Sequence, residues 1–244
     1  MIILQEKIIN TMSNLKRFSL VEMGKLLAIR LAVQFKNIAE NIKIASRYYS
    51  SWSFLKVDLF LLGSYLFNNP FSISKRFLIE KGEENIYAYG ETPLTTLDLI
   101  MRECRVQPGE TIFELGCGRG RTCFWLSAYY GCKVIGVDQI PEFVERGNQI
   151  VDTFNLSSIS FIQQNMLDTD LSSASTIYLY GTCLRDEFIK KLSKKCSKLC
   201  KGTKVITVSY ALTDYDDGHH FELMRCFPAK FTWGEADVYL QIVK

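Results

Sequence analysis

Only two histidines, His219 and His220, occur among 244 residues, and they are neighbours. So sparse a supply leaves no obvious zinc ligand set and no Cys–His couple. The eight cysteines include no CxxC pair. A chain this long buries a core without staples, so the cysteines read as reduced thiols and the expected compartment is cytoplasmic. Proline is scarce, and none precedes Pro70. Nothing therefore forces an early stop on a helix in the first third. Long apolar runs are missing too. The most apolar stretch, Leu59 to Phe67, holds 9 residues, whereas a membrane span needs about 20. The start, Met1 to Lys7, meets charge too soon for a secretory signal. Net charge is only +3, which gives no firm nucleic-acid signal.

What is present is a globular composition, 48 % hydrophobic and 23 % charged, which excludes a disordered tail and a collagen-like chain. The charge is uneven. Residues 1–90 hold 12 Lys/Arg against 7 Asp/Glu, and residues 91–244 hold 17 against 19. The basic third reads as helix. Ile8, Met12, Leu15 and Phe18, then Leu27, Leu31, Phe35, Ile38 and Ile42, recur at threes and fours. A second helix is expected over 52–67, with Trp52, Leu55, Leu59, Leu62 and Leu66 on one stripe. Asn68-Asn69-Pro70 stops it, and residues 71–90 read as a basic, aromatic connector. Thr92 or Glu91 then caps a helix with Pro93 in its first turn.

From residue 110 the pattern alternates. Short strands at 110–115, 133–137, 158–163, 176–180 and 203–210 are separated by helices at 120–130, 141–154 and 185–200. Lys230–Trp233 and Val238–Val243 read as a hairpin around Gly234-Glu235. Strands alternating with helices imply an α/β fold, a doubly wound, mostly parallel sheet, with the hairpin adding antiparallel strands. Two segments are expected: a helical extension over 1–85 and an α/β domain over 86–244.

The segment Glu114-Leu115-Gly116-Cys117-Gly118-Arg119-Gly120-Arg121 is the most informative. Three glycines at alternate positions follow a strand and open a helix, where the chain must turn tightly and a ligand can approach the backbone. Asp138 ends the next strand, 22 residues after Gly116, about where a carboxylate takes a ribose diol. A dinucleotide site wants G-x-G-x-x-G, and Arg121 stands where its third glycine would be. Glu114 would repel a pyrophosphate but suits an ammonium or sulfonium group.

In these motifs, residues 91–244 resemble the class I, seven-stranded S-adenosylmethionine-dependent methyltransferases. The resemblance implies S-adenosyl-L-methionine as cofactor. It places the cofactor on Glu114, Gly116, Cys117, Gly118, Gly120, Asp138 and its neighbour Gln139. Asn165, in the position usually acidic, would reach the adenine amino group through its side-chain oxygen, and Met166 would pack on the ring. Tyr178 to Thr182 would face the substrate. Tyr89-Gly90-Glu91-Thr92-Pro93 and Tyr180-Gly181 are similar to segments of the lysine methyltransferases that include the ATP synthase c-subunit enzyme. That likeness implicates Tyr89 and Thr92 over the cofactor and a protein lysine as acceptor. A small-molecule or lipid acceptor, and a non-catalytic cofactor-binding subunit, are the alternatives. An Asn-Pro-Pro-Tyr motif is absent, which speaks against methylation of nucleic-acid amino groups. No catalytic residue is named. No metal site is expected, the loop Asp214–His220 being read as solvated. The basic extension is expected to pack as a cap, with contact to a membrane surface as its other reading.

Overall fold

The β-branched runs form a seven-stranded sheet in the computed structural model, which describes residues 38–216 and 219–244. Of the apolar stripe expected from Ile8 to Ile42, the part up to Phe35 lies outside those residues, and Ile38 and Ile42 are exposed rather than buried. Ile44–Lys244 form one compact unit of the chain. Its strands are β1 (Thr111–Leu115), β2 (Lys133–Asp138), β3 (Ile159–Gln163), β4 (Thr176–Leu179), β5 (Lys204–Val208), β6 (Phe221–Lys230) and β7 (Glu235–Val243). Their order is β3-β2-β1-β4-β5-β7-β6. The first five are parallel. β7 runs antiparallel to both β5 and β6, so six strands point one way and β7 the other. The doubly wound sheet with an antiparallel hairpin is thus the fold that the sequence implied.

Helices α1 (Trp52–Ser64), α2 (Pro70–Glu80), α3 (Leu94–Glu103), α4 (Arg121–Tyr130), α5 (Pro141–Phe154) and α6 (Asp186–Cys196) accompany the sheet. All four residues of β4 are buried, as a central parallel strand covered on both faces requires. One core layer joins Leu97, Ile100, Trp125 and Phe143. The other joins Leu115, Ile177, Leu192 and Val205. Ile44, Tyr48, Phe54 and Leu61 belong to the first layer. Tyr48 meets Trp125 edge-on at 5.3 Å and Phe54 meets Tyr129 at 5.6 Å, contacts worth about 0.5–1.5 kcal/mol each beyond their burial.

Four local expectations are corrected. α1 buries Phe54, Val57, Asp58 and Leu61, not the leucine stripe; Trp52, Leu59 and Leu66 are exposed. Its buried face is chosen by aromatic packing and by the partner that Asp58 finds. Residues 71–90 are not all connector. Asn69 accepts the Phe71 N–H at 2.8 Å and Pro70 occupies the first turn, so the signal that ends α1 also starts α2. Thr92 does not cap α3, which begins after Pro93 without a side-chain cap. The hairpin starts earlier than expected, with β6 at Phe221. Glu222 to Cys226 are exposed in succession, so this edge strand lacks the alternation that marks a half-buried one. Pro228 is tolerated there because an edge leaves one row of backbone groups unpaired.

Candidate functional site

The strand order reverses between β1 and β4. Chain order runs from β1 outward to β2 and β3, then returns to β4 on the other side. Such a switch point leaves a crevice beyond the strand ends, and the glycine loop closes it. Gly116, Gly118 and Gly120 all have positive φ, at +76°, +55° and +75°, where any side chain is strained. The Gly116 and Cys117 N–H groups donate to the Val137 carbonyl at 2.8 and 3.1 Å, which fixes the loop to the end of β2.

The three glycines have different duties. A Cβ on Gly118 would lie 2.9 Å from the Tyr89 ring, so Tyr89 covers the loop. A Cβ on Gly116 would lie 3.8 Å from the Met166 methyl. A Cβ on Gly120 would come within 2.3 Å of Phe161, and Gly136 and Gly147 each leave room for the same ring. The last glycine of the motif is therefore required by packing of α4 on the sheet. Gly120→Ala is expected to cost several kcal/mol, because it adds overpacking, about 1–3 kcal/mol, to backbone strain of similar size. Chemical denaturation checks this; a loss under 1 kcal/mol would contradict the packing role.

Two carboxylates stand at the ends of β1 and β2. Asp138 accepts the Gly118 N–H at 2.8 Å on one oxygen and the Ile140 N–H at 2.9 Å on the other. A carboxylate has about four lone-pair positions, so acceptor capacity is left for a diol. Burial raises the Asp138 pKa, and the backbone N–H groups of Ile140, Gly118 and Gln139 oppose that. Gln139 itself is exposed. Glu114 is buried. It accepts the Thr122 hydroxyl at 2.5 Å and the Cys123 thiol at 3.1 Å. Burial pushes its carboxyl up to about 7, against the lowering effect of those two donors. Among the described residues no cation makes a hydrogen bond to Glu114, so burial dominates its electrostatics.

A small cavity opens beside Glu114, and Glu91, Thr92, Gly116, Arg119 and Tyr180 are among the residues that line it. Of these, Glu91 and Arg119 are the two that the sequence does not mark as site residues. Glu91 accepts the Tyr89 hydroxyl at 2.6 Å and pairs with Arg119 at 2.7 Å. This ties the segment before α3 to the glycine loop. Thr92 is buried, and its hydroxyl lies 2.6 Å from that of Tyr178. Tyr180 lies against Gly90 and stacks on Phe231 at 5.3 Å. Phe231 in turn stacks on Trp233 at 5.7 Å. The signals that could have found them were the oppositely charged Glu91 and Arg119, which no local spacing connects. Arg121 also borders the cavity, with its guanidinium committed elsewhere. It grips Asp58 of α1 with two hydrogen bonds of 2.7 Å.

Asn165 and Met166 lie after β3. The Asn165 side-chain oxygen, the atom expected to reach an adenine amino group, already accepts the Leu167 N–H at 2.9 Å. Its second lone pair is the one left for a ligand. Met166 is half-buried at the edge of the second core layer. In the loop after β5, His220 pairs with Asp216 at 2.8 Å. Asp217 and Gly218 of that loop lie outside the described residues. Among the described residues no group of His, Cys, Asp or Glu could hold a metal ion. Nor, among them, is any helix long and apolar enough to cross a membrane.

Residues 112–203 match the sequence family described as a methyltransferase domain. A histone-lysine N-methyltransferase of Dictyostelium discoideum, specific for H3 lysine-79, is 29 % identical over 137 residues, which is 49 % of this chain and 7 % of that protein. A carboxy-S-adenosyl-L-methionine synthase of Yersinia enterocolitica is 31 % identical over 87 residues, 34 % of this chain and 33 % of that one. The chain thus spans a third or less of the length of these relatives. Among solved structures, an RNA methyltransferase from Salinibacter ruber in complex with S-adenosyl-L-homocysteine superposes with a TM-score of 0.51 at 21 % identity. That match covers 63 % of this chain and 93 % of that one. A geranyl diphosphate C-methyltransferase from Streptomyces coelicolor gives 0.52 at 14 % identity, over 62 % and 79 %. At such identities these two speak to the fold.

Proposed function

We propose that this chain, which carries a methyltransferase domain in a class I fold, transfers a methyl group from S-adenosyl-L-methionine. The observation that carries the proposal is the pair of carboxylates at adjacent strand ends, flanking a loop of three positive-φ glycines. Asp138 would accept from the ribose diol, and Glu114 would hold the cationic end of the cofactor. Gly116, Cys117 and Gly118 would line it, Gln139, Asn165 and Met166 would sit around the adenine, and Tyr89 and Thr92 would close the site from the segment before α3. The cofactor supplies an electrophilic methyl carbon. The chain's part is to align a nucleophile with it and keep water out.

For the acceptor we propose an amine, and a protein lysine in particular. The crevice is lined by carboxylates and the Tyr180 ring, and its two arginines, Arg119 and Arg121, both face carboxylates. A cation is drawn to both features. The likeness of Tyr89–Pro93 and Tyr180-Gly181 to the c-subunit lysine methyltransferase group supports the same acceptor. A small-molecule acceptor is the second reading, favoured by the similarity to the carboxy-S-adenosyl-L-methionine synthase.

Two measurements test this. S-adenosylhomocysteine should raise the melting temperature, because a ligand that binds only the folded state stabilises it by mass action. NADH should not, because Glu114 opposes a pyrophosphate and Arg121 is committed to Asp58. The reverse pattern would remove the methyltransferase reading. Methyl-labelled cofactor incubated with cell extract should place label in the protein fraction, in a base-stable form. Label confined to small molecules would select the second reading. No transfer despite tight binding would leave a cofactor-binding subunit.

A further inference from the structure

The small net charge of the chain hides a strong local segregation. Between residues 188 and 213 there are seven lysines, from Lys190 to Lys204, and not one Asp or Glu. α6 carries most of them. Ile189, Leu192 and Cys196 turn inward onto the sheet, so the helical period sends Lys190, Lys191 and Lys194 outward, and the following turn adds Lys198. All four are exposed, as is Lys201. Elsewhere in the unit cations face carboxylates at short range: Arg102 with Asp98, Arg119 with Glu91, Arg121 with Asp58, Arg146 with Glu142 and Arg225 with Glu103. Of the seven, Lys204 lies on β5 and pairs with Glu110 at 2.7 Å, whereas on the outer face of α6 the pair formed among the described residues is Lys190 with Glu187 at 3.6 Å, between two well-exposed side chains. Two other acids lie near the row: Asp186, in the first turn of α6, accepts the Tyr215 hydroxyl at 3.1 Å, and Asp170 is fully exposed, its carboxyl lowered first by the Ser172 N–H and last by Lys195.

We infer that the outer face of α6 is a docking surface for the phosphate backbone of a nucleic-acid duplex. Three observations select this occupant. The row of like charges has a helical repeat, Lys190, Lys194 and Lys198, and repels itself unless a polyanion lies along it. A bilayer surface is read by cations together with apolar side chains that enter it. Among the described residues the exposed large hydrophobic side chains fall at or before Tyr87 and at or after Leu223, with none on this face. A protein interface needs an apolar or aromatic centre, and that is missing here for the same reason. The absence of exposed rings also removes the stacking platforms that hold unpaired bases. What is left is attraction to phosphates without base reading. This docking is independent of the methyl acceptor and holds whether or not the transfer reaction is the one proposed.

The test is fluorescence anisotropy of the full chain with a labelled duplex of about 20 base pairs, in DNA and RNA forms, across salt from about 50 to 200 mM. Binding to both forms is expected. With four lysines on phosphates, log K should fall against log salt with a slope of about −3.6 on DNA. The triple variant Lys190→Gln, Lys194→Gln, Lys198→Gln should melt like the parent, since these side chains are exposed. It should bind at least tenfold more weakly at about 100 mM salt and lose most of that slope. A control variant, Lys75→Gln with Lys81→Gln, should bind as the parent does. No binding at the lowest salt, or equal binding by the triple variant, would overturn the inference. So would polyglutamate or anionic vesicles competing better than the duplex.

Discussion

Arg121→Met is expected to destabilise the folded chain by about 3–5 kcal/mol, the cost of leaving one member of a buried ion pair without its partner. The Asp58 side chain is wholly buried in α1. Both its oxygens receive the Arg121 guanidinium at 2.7 Å, and the Tyr49 hydroxyl adds a third hydrogen bond at 2.8 Å. Removing the cation strands a carboxylate in an apolar layer. Removing both charges, with Asp58→Leu and Arg121→Met together, should recover a large part of the loss, because apolar replacement of a buried pair is often close to neutral. Urea unfolding of the two single variants and the double variant gives the coupling directly. A single-variant loss under 1 kcal/mol would mean that α1 does not dock through this pair.

Glu114→Gln is expected to move stability and cofactor binding in opposite directions. In the folded chain without ligand the Glu114 carboxyl titrates near 7, above its usual 4.5, because it is buried. The folded state therefore holds the proton more tightly than the unfolded one. Its contribution to stability is complete below the ordinary carboxyl value and is lost as pH rises through about 7. Above that pH the charged side chain costs on the order of 3 kcal/mol. The glutamine variant keeps the shape and carries no charge, so at pH 8 it should melt several degrees higher than the parent, at roughly 2–4 °C per kcal/mol for a chain of this size. It should also bind S-adenosylmethionine at least tenfold more weakly, through loss of a charge-assisted contact of about 1.5–3 kcal/mol. Affinity of the parent should rise with pH through about 7, while that of the variant stays flat. Equal affinity in both proteins would remove Glu114 from the cofactor site.

The parts of the structure that sequence reveals are those where one residue type has one physical use. Glycines at 116, 118 and 120 announce positive φ, and the structure puts all three there. The runs at 111–115 and 133–138 are too β-branched and too short for helices, and they pair in parallel. Their spacing brings Asp138 within hydrogen-bonding distance of Gly118. Legibility fails where a side chain's environment is decided far away. α1 has apolar residues on nearly every side, so leucine spacing cannot say which face turns inward. Arg121, 63 positions later, decides it by taking Asp58. Glu91 and Arg119 look like ordinary surface charges until the fold sets them 2.7 Å apart. β6 is obscured by Glu222, Arg225 and Pro228, which an edge strand accepts and a central strand would not.

We propose that the crevice between β1 and β4 holds S-adenosylmethionine with its ribose on Asp138. Calorimetric titration of S-adenosylhomocysteine into the full chain at pH 8, beside Asp138→Asn, tests it most directly. The asparagine can still accept the Gly118 N–H with its oxygen, but it has lost the charge and the second acceptor. One site per chain is expected in the parent and affinity reduced at least tenfold in the variant, with the melting temperature lowered by the weakened bonds to Gly118 and Ile140. Binding of equal strength in both proteins would contradict it.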